Sequence, residues 1–551
     1  MPHRYFFCLA CVLSGLAQTG FAATITVNTD QDVVAVDGFC SLREAVIAVN
    51  AKAASGASPG ECAAGDAAPP AADTIAFAIP GSGLHVIDLD DAQNVALFKP
   101  AIIDGYTQGG SSPNTNALGA NNAVLRIALR QSVDSGASAL LQVAEDARPS
   151  TVRGLLFESS VGIATDGLLL DGGLPVIGVG DYNQIVGNWF GVGPDGVTPG
   201  RLRAAVHIRY PGNAVGGTAP ADRNVIDAPN GYGVHLESGI TTIQGNLIGT
   251  TATGTAALGD SCVGIWIEDA LTVTIGGAAP GAGNVIGGCS YGIDSAGDGV
   301  SIFGNAIGTD ASGTIAIANA LDGIFVEAGS AAIGTDEAIG APNIIADNGQ
   351  GIYVKQGARA GILANRIVDN HGYFSGLGIK LQAPGADDDL PLPNDVNDAD
   401  GVQNYPVLTD VATSAGTTTI AGTFNSYPNT GFSIALYANA ACDPSGFGEG
   451  ERYLGSFTLA TDASGNAAFT HAVPALAAGE QVTATAILAI SAFPPQTSEF
   501  SQCRAQDAQL PPPPPPVSAV PAPALAAWAL ALLIALVAGI AAAREEWGRK
   551  R

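Results

Sequence analysis

The chain has 551 residues, a formal net charge of −28, 13% charged residues, 72 glycines and one methionine. That length exceeds one ordinary globular core and implies several domains or a repeat array, with many turns and short strands rather than charged surface helices. The acidic balance argues against nucleic acid as a partner, because phosphate binding requires a basic face.

Residues 1–22 read as a signal peptide. His3 and Arg4 open it, "YFFCLACVLSGLA" is its apolar core, and "GFA" supplies small residues for cleavage after Ala22. The apolar run is too short for a spanning helix. Cys8 and Cys11 leave with it, and Cys40, Cys62, Cys262, Cys289, Cys442 and Cys503 remain. An even set in an exported chain implies disulfides, expected to pair in sequential order.

Residues 23–72 are expected to form an N-terminal cap. Within them "CSLREAVIAVN" (Cys40–Asn50) carries a helix signal in a chain that otherwise reads as β. Ser41 is placed as N-cap, Glu44 three residues on completes a capping box, and Leu42, Ala45, Val46 and Val49 share one apolar face. The open end of a repeat array exposes strand edges and apolar filling, so a short one-sided helix serves as a lid. Cys40 and Cys62 bracket it.

Residues 73–406 repeat. An Asn followed by an apolar strand recurs at Asn188, Asn224, Asn246, Asn284, Asn305, Asn343 and Asn365. A Gly-opened strand interleaves with it, as "GVHL" (Gly233), "GIWI" (Gly264), "GID" (Gly292), "GIFV" (Gly323), "GIYV" (Gly351) and "GIKL" (Gly378). The steps between the first five alternate 31, 28, 31 and 28 residues, so two unequal rungs make one super-repeat of 59. Three short strands per rung predict a right-handed parallel β-helix, each strand pairing with its counterpart one rung away. The recurring Asn predicts a structural ladder of side-chain hydrogen bonds rather than a catalytic residue. Cys262 and Cys289 fall at nearly the same station of adjacent rungs, spaced ~4.8 Å, within reach of a disulfide.

Outward positions of the Gly-opened strands, and of their counterpart "VHI" (Val206), are His207, His235, Trp266, Asp294, Phe325, Tyr353 and Lys380. Six rung steps span roughly 30 Å, several sugar rings. Aromatic faces can stack on sugar C–H faces while His, Asp and Lys bond hydroxyls. The alternative is a ladder stabilised by like-with-like stacking. "NHG" (Asn370–Gly372) and "GIK" (Gly378–Lys380) resemble polygalacturonase fragments, but the paired aspartates of a glycosidase are missing from the strands. The acidic segment "DDDLPLPNDVNDAD" offers Asp395, Asp398 and Asp400 as ligands for Ca²⁺, or is a solvated loop. No cofactor is required, and no zinc spacing, nucleophile elbow or phosphate loop is present.

Residues 407–505 predict a small β-sandwich, 506–523 a Pro-rich linker, 524–543 an apolar membrane-spanning or sorting helix, and 544–551 a basic cytoplasmic tail.

"DGFCSLREAV" closely resembles the CSLREA motif of bacterial exported β-helix proteins. "IIDGYTQGGSSPNTNA" (Ile102–Ala117), the "GNxIGTDxxGT" rungs, "PNDVNDADGVQNYPVL" (Pro393–Leu408) and the run from Cys442 to Cys503 are similar to the same group. The tail "APALAAW" resembles the IPTL-type C-terminal sorting signal, keeping Pro523, Leu525 and Trp528 and departing where that motif has Ile, Thr, Ser and Glu. The resemblance implies a Gram-negative source, export through the inner membrane, a right-handed β-helix, a sorting protease as partner, and a cell-surface, outer-membrane or secreted location. It implies no activity. Parallel β-helices carry both polysaccharide-processing enzymes and adhesins. The expected function is therefore non-enzymatic binding of glycans or surfaces, the rival a lyase, hydrolase or epimerase acting on an acidic polysaccharide.

Overall fold

The computed structural model describes residues 22–506, apart from 67–71, 118, 162–164, 173–181, 260, 335–340, 373–375, 384–390, 415 and 489–494. Residues 1–21 of the expected signal peptide, the expected linker beyond residue 506, the apolar segment 524–543, the basic tail and Asp387 to Asp389 lie outside the described residues. Among the described residues no helix is long and apolar enough to cross a membrane.

Among the described residues, one α-helix, Leu42–Ala51, and three short 3-10 turns accompany an otherwise all-β fold. Strands recur in sets of three, each pairing in parallel with its counterpart one turn later. Three long parallel sheets result, as in a parallel β-helix. One has eleven strands, from Thr24–Val27 to Arg359–Ile362. Two have ten, from Val95–Leu97 to Ile379–Leu381 and from His85–Asp88 to Arg366–Val368. Thr24–Val27 pairs with Asp73–Phe77, so the coil already starts ahead of the cap helix.

Register decides what fills the tube. Val206, Val234, Ile265, Ile293, Ile324, Ile352 and Ile379 stand one above another, all buried. Each such side chain contributes about 1.5–3 kcal/mol by leaving water. Gly opens these strands for steric reasons: a Cβ on Gly264 would meet the carbonyl oxygen of Gly292 at 2.5 Å.

The Asn station is a buried ladder. The Asn246 amide N–H and Nδ2 both donate to Asn284 Oδ1, at 3.0 and 3.0 Å; Asn284 repeats this on Asn305 at 3.1 and 2.9 Å, and Asn305 on Asn343 at 3.0 and 3.0 Å. Each Nδ2 also donates to a backbone carbonyl, of Val215, Ile243 and Ile275 in turn. Asn188, Asn224 and Asn365 extend the line. A second ladder, of Asn319, Asn348 and Asn370, stands at another corner.

Both ends are closed. Ser41 and Glu44 form the capping box, and Leu42, Ala45, Val46 and Val49 enter the main core. Asn50 donates to Ala96 O at 2.8 Å and accepts from Phe98 N at 2.7 Å, covering the edge strand Val95–Leu97. Disulfides join Cys40–Cys62, Cys262–Cys289 and Cys442–Cys503.

At the far end two antiparallel sheets of three and four strands enclose a separate core that includes Leu408, Ile420, Phe424, Phe432, Ile434, Leu436 and Val482. This sandwich meets the last strand of every coil sheet. Thr497 Oγ1 accepts from Ile362 N at 2.8 Å, Gly450 exchanges two backbone bonds with Ile367, and Glu499 Oε1 accepts from Leu381 N at 3.0 Å. Glu449 accepts from Asn370 Nδ2 at 2.9 Å and ends the second ladder.

Two outcomes follow from these contacts. Asn284→Ala strips partners from the buried Asn246 N–H and Ile243 carbonyl, at about 1–3 kcal/mol per group, and lowers the chemical-denaturation midpoint. Gln184→Ala, on an exposed position of the same coil, shifts it by no more than about 0.5 kcal/mol. Burial, against the hydrogen bonds from Asn370, pushes the Glu449 carboxyl up to about 8 from 4.5. Between those two values the unfolded carboxyl is ionised while the folded one keeps its proton, so this group's contribution to stability is lost as pH rises through that window. Glu449→Gln flattens the fall in urea midpoint between pH 4.5 and about 8 relative to the parent chain.

Candidate functional site

The outward face of the sheet ending at Ile379–Leu381 gathers the chemistry. Each residue after an inward Ile or Val points away from the tube. His207, His235, Trp266, Asp294, Phe325, Tyr353 and Lys380 pair in unbroken register. Their rings stack. His207 and His235 lie 4.3 Å apart and 11° from parallel, His235 and Trp266 4.3 Å, Phe325 and Tyr353 5.4 Å.

Two flanking lines join them. Three residues before the column, Tyr232 stacks on Trp266 at 4.5 Å and Tyr291 on Phe325 at 5.6 Å. Two residues after it come Glu237, Glu268, Glu327 and Lys355, with Lys355 paired to Glu327 at 2.9 Å. The column is less open than alternation alone predicts. His207 and His235 are buried, and Trp266, Asp294, Phe325 and Tyr353 are half-buried. Lys380 is buried beneath the sandwich, 3.5 Å from Glu499, and is not offered to a solvent-borne ligand.

One end of the face is a histidine–carboxylate cluster. Arg203 holds Asp166 through two bonds of 2.8 and 2.6 Å. Asp166 Oδ2 meets His207 Nδ1 at 2.8 Å, His207 Nε2 meets Glu237 Oε1 at 2.7 Å, and His235 Nε2 meets Glu268 Oε2 at 3.1 Å. Burial alone would raise the Asp166 carboxyl, but the His207 and Arg203 hydrogen bonds outweigh it and hold it below its ordinary value. Burial, reinforced by His207, lowers His235. Among the described residues, the His/Cys/Asp/Glu group whose ligand atoms converge is His207, His235 and Glu237, all within 4.8 Å of one another.

The middle of the face holds an acid pair. Asp322 opens the strand Asp322–Val326 one rung beyond Asp294. Each has a buried Oδ1 with no hydrogen-bond partner. Burial, with Glu327 nearby, pushes Asp294 up to about 6; burial, with Asp294 nearby, pushes Asp322 up to about 7. Paired acids of unequal pKa near neutrality can exchange protons with a bound substrate or donate hydrogen bonds to it.

The carboxylates of the acidic segment are already engaged within the chain. Asp395 accepts from Ala399 N and Asp400 N, Asp398 from Asn404 N and Ser426 Oγ, and Asp400 from Val402 N. These carboxylates brace the turn that joins the coil to the sandwich. A cavity of 290 Å³ beside the Asn ladder includes Arg223, Asn246 and Asn284 in its lining. The Arg223 guanidinium there is spent on carbonyls of Asn116, Ala117, Gly119, Ala120 and Gly245.

Sequence reasoning took the column but missed Asp166, Tyr232, Glu237, Glu268, Tyr291 and Asp322. All were readable as fixed offsets in "YGVHLE", "VGIWIE", "YGIDSA" and "DGIFVE", and Asp166 in "DGLLLD", where it stands three residues before Leu169, the partner of His207. Strict alternation hid the earlier offset, because the Gly after Tyr232 or Tyr291 breaks the alternation: Tyr232 and His235, three apart, meet on the same face.

No family model matches the chain, and no curated protein matches it.

The acid pair has a spectroscopic consequence. In the infrared difference between the parent chain and Asp322→Asn, a carboxylic-acid carbonyl band that fades with a midpoint of about 7 is expected.

Proposed function

We propose that this is an exported, surface-associated protein that binds a glycan along the aromatic and acidic face and releases it unchanged, as an adhesin or matrix component does. The observation that carries this reading is the register of Trp266, Phe325 and Tyr353, with Tyr232 and Tyr291 beside them, on one rigid sheet. Rings fixed at multiples of the ~4.8 Å rung spacing can support successive sugar faces with little loss of side-chain entropy. Asp294, Glu327 and Lys355 stand beside them for hydroxyl groups. In the same reading the coil winds right-handed, as parallel crossovers do, and the C-terminal apolar segment and sorting signal hold the protein at the cell surface.

A second reading has its own observation. The orphaned Asp294 and Asp322 are what a polysaccharide hydrolase would need as proton donor and acceptor.

One experiment separates the two. The full chain is incubated with a panel of neutral and uronic polysaccharides while binding and new reducing or unsaturated ends are followed. Glycan binding without product, weakened at least about tenfold (about 1.4 kcal/mol) by Trp266→Ala combined with Tyr353→Ala, is expected. Binding untouched by that double substitution removes the aromatic face as the site. Turnover abolished by Asp322→Asn replaces the leading reading with the enzymatic one.

A further inference from the structure

The histidine end of the face is built differently from the aromatic middle. His207 has a carboxylate at each ring nitrogen, Asp166 at Nδ1 and Glu237 at Nε2. Two ionised carboxylates on one imidazole are satisfied either by two ring protons or by a cation at one nitrogen. His235 stacks directly on His207, and its Nε2 points at a carboxylate too, that of Glu268.

We propose that His207 Nε2, His235 Nε2 and the carboxylate of Glu237 bind a divalent transition-metal ion of the zinc type, with Glu268 as a fourth ligand. Two imidazoles and carboxylate oxygens are donors that zinc accepts in tetrahedral sites, whereas calcium and magnesium take oxygen alone. The supporting hydrogen bonds are those of a built site. Asp166, itself clamped by Arg203, meets Nδ1 of His207, which fixes the ring and turns Nε2 toward Glu237, its fellow ligand. Asp166 is fully buried, so this support is not an incidental surface pair.

The geometry closes with small movements. Ligands at ~2.1 Å from one ion stand at most about 4.2 Å apart, and the three ligand atoms already lie within 4.8 Å of one another. The two rings splay from their 11° stack so that each nitrogen lone pair faces the ion. Rotation about the His Cβ–Cγ bond is soft. Glu237 and Glu268 retain 36% and 51% side-chain exposure and can swing. With Glu268 displaced, the fourth position opens toward Trp266, which stacks on His235. The site is thus placed to bring a metal to one end of the glycan face, and its test requires no glycan.

The full chain, stripped with a chelator, is dialysed against Zn²⁺ and analysed for metal, then titrated with Co²⁺. One Zn²⁺ retained per chain and the visible ligand-field bands of tetrahedral Co²⁺ are expected. Glu237→Gln preserves side-chain shape and weakens retention at least about tenfold. Asp166→Asn, which touches no metal, weakens it by about 10–100-fold. His235→Ala abolishes it; circular dichroism and the melting temperature of each metal-free variant report on its fold. Zn²⁺ retention no greater than that of His235→Ala overturns the proposal and leaves the cluster as a hydrogen-bonded network only. Equal retention by the parent, Glu237→Gln and His235→Ala overturns it as well, because the metal would then sit elsewhere.

Discussion

Parallel pairing between coils, with like station set above like station, is the constraint on which the rest of this molecule depends. A parallel ladder of short strands has few backbone bonds per turn, and the corners between strands carry amides and carbonyls that no strand can satisfy. The Asn ladder answers both needs. One amide side chain fixes the height of its rung against the next and satisfies a corner carbonyl. A slip of one residue would turn every Ile of the inner column outward and break every Asn contact together. That shared penalty keeps ten or eleven coils in step.

A register so fixed has two consequences. It leaves unpaired edges at each end, which natural sheets must cover to avoid further pairing. A helix with Asn50 does this at one end, and the sandwich does it at the other through Thr497, Gly450 and Glu499. It also builds outward columns without any loop to position them. His207, His235 and Trp266 come from three different coils, yet their rings are 4.3 Å apart because the backbone beneath them is hydrogen-bonded.

The outward face carries groups that stability alone would not choose. Asp294 and Asp322 keep buried oxygen atoms without partners, and the His207 cluster concentrates three carboxylates around two rings. An apolar ladder would be cheaper, since unsatisfied buried polar groups cost about 1–3 kcal/mol each. The rigid coil tolerates that cost locally because the strands on either side are held by unrelated contacts. These groups, gathered beside stacked rings on one face, are the physical ground for the ligand chemistry proposed there.

The sequence by itself determined the periodic part. Rung length, the Asn station, the inner Ile and Val column and the helix at Cys40–Asn50 were all readable, because each repeats or obeys a short local rule. Tertiary structure alone decided what one-dimensional spacing cannot carry. Asp322 joined Asp294 through a break in alternation at Gly323, and Asp166 reached His207 from the neighbouring strand through the same break at Gly167. Lys380 was withdrawn from the column by a domain beginning after it in the chain, and Glu449 and Glu499 became end plugs only once the sandwich had folded back on the coil. Local pattern records what a residue repeats with; only the closed fold records what it is pressed against, and burial, charge and chemistry on this face follow from the second.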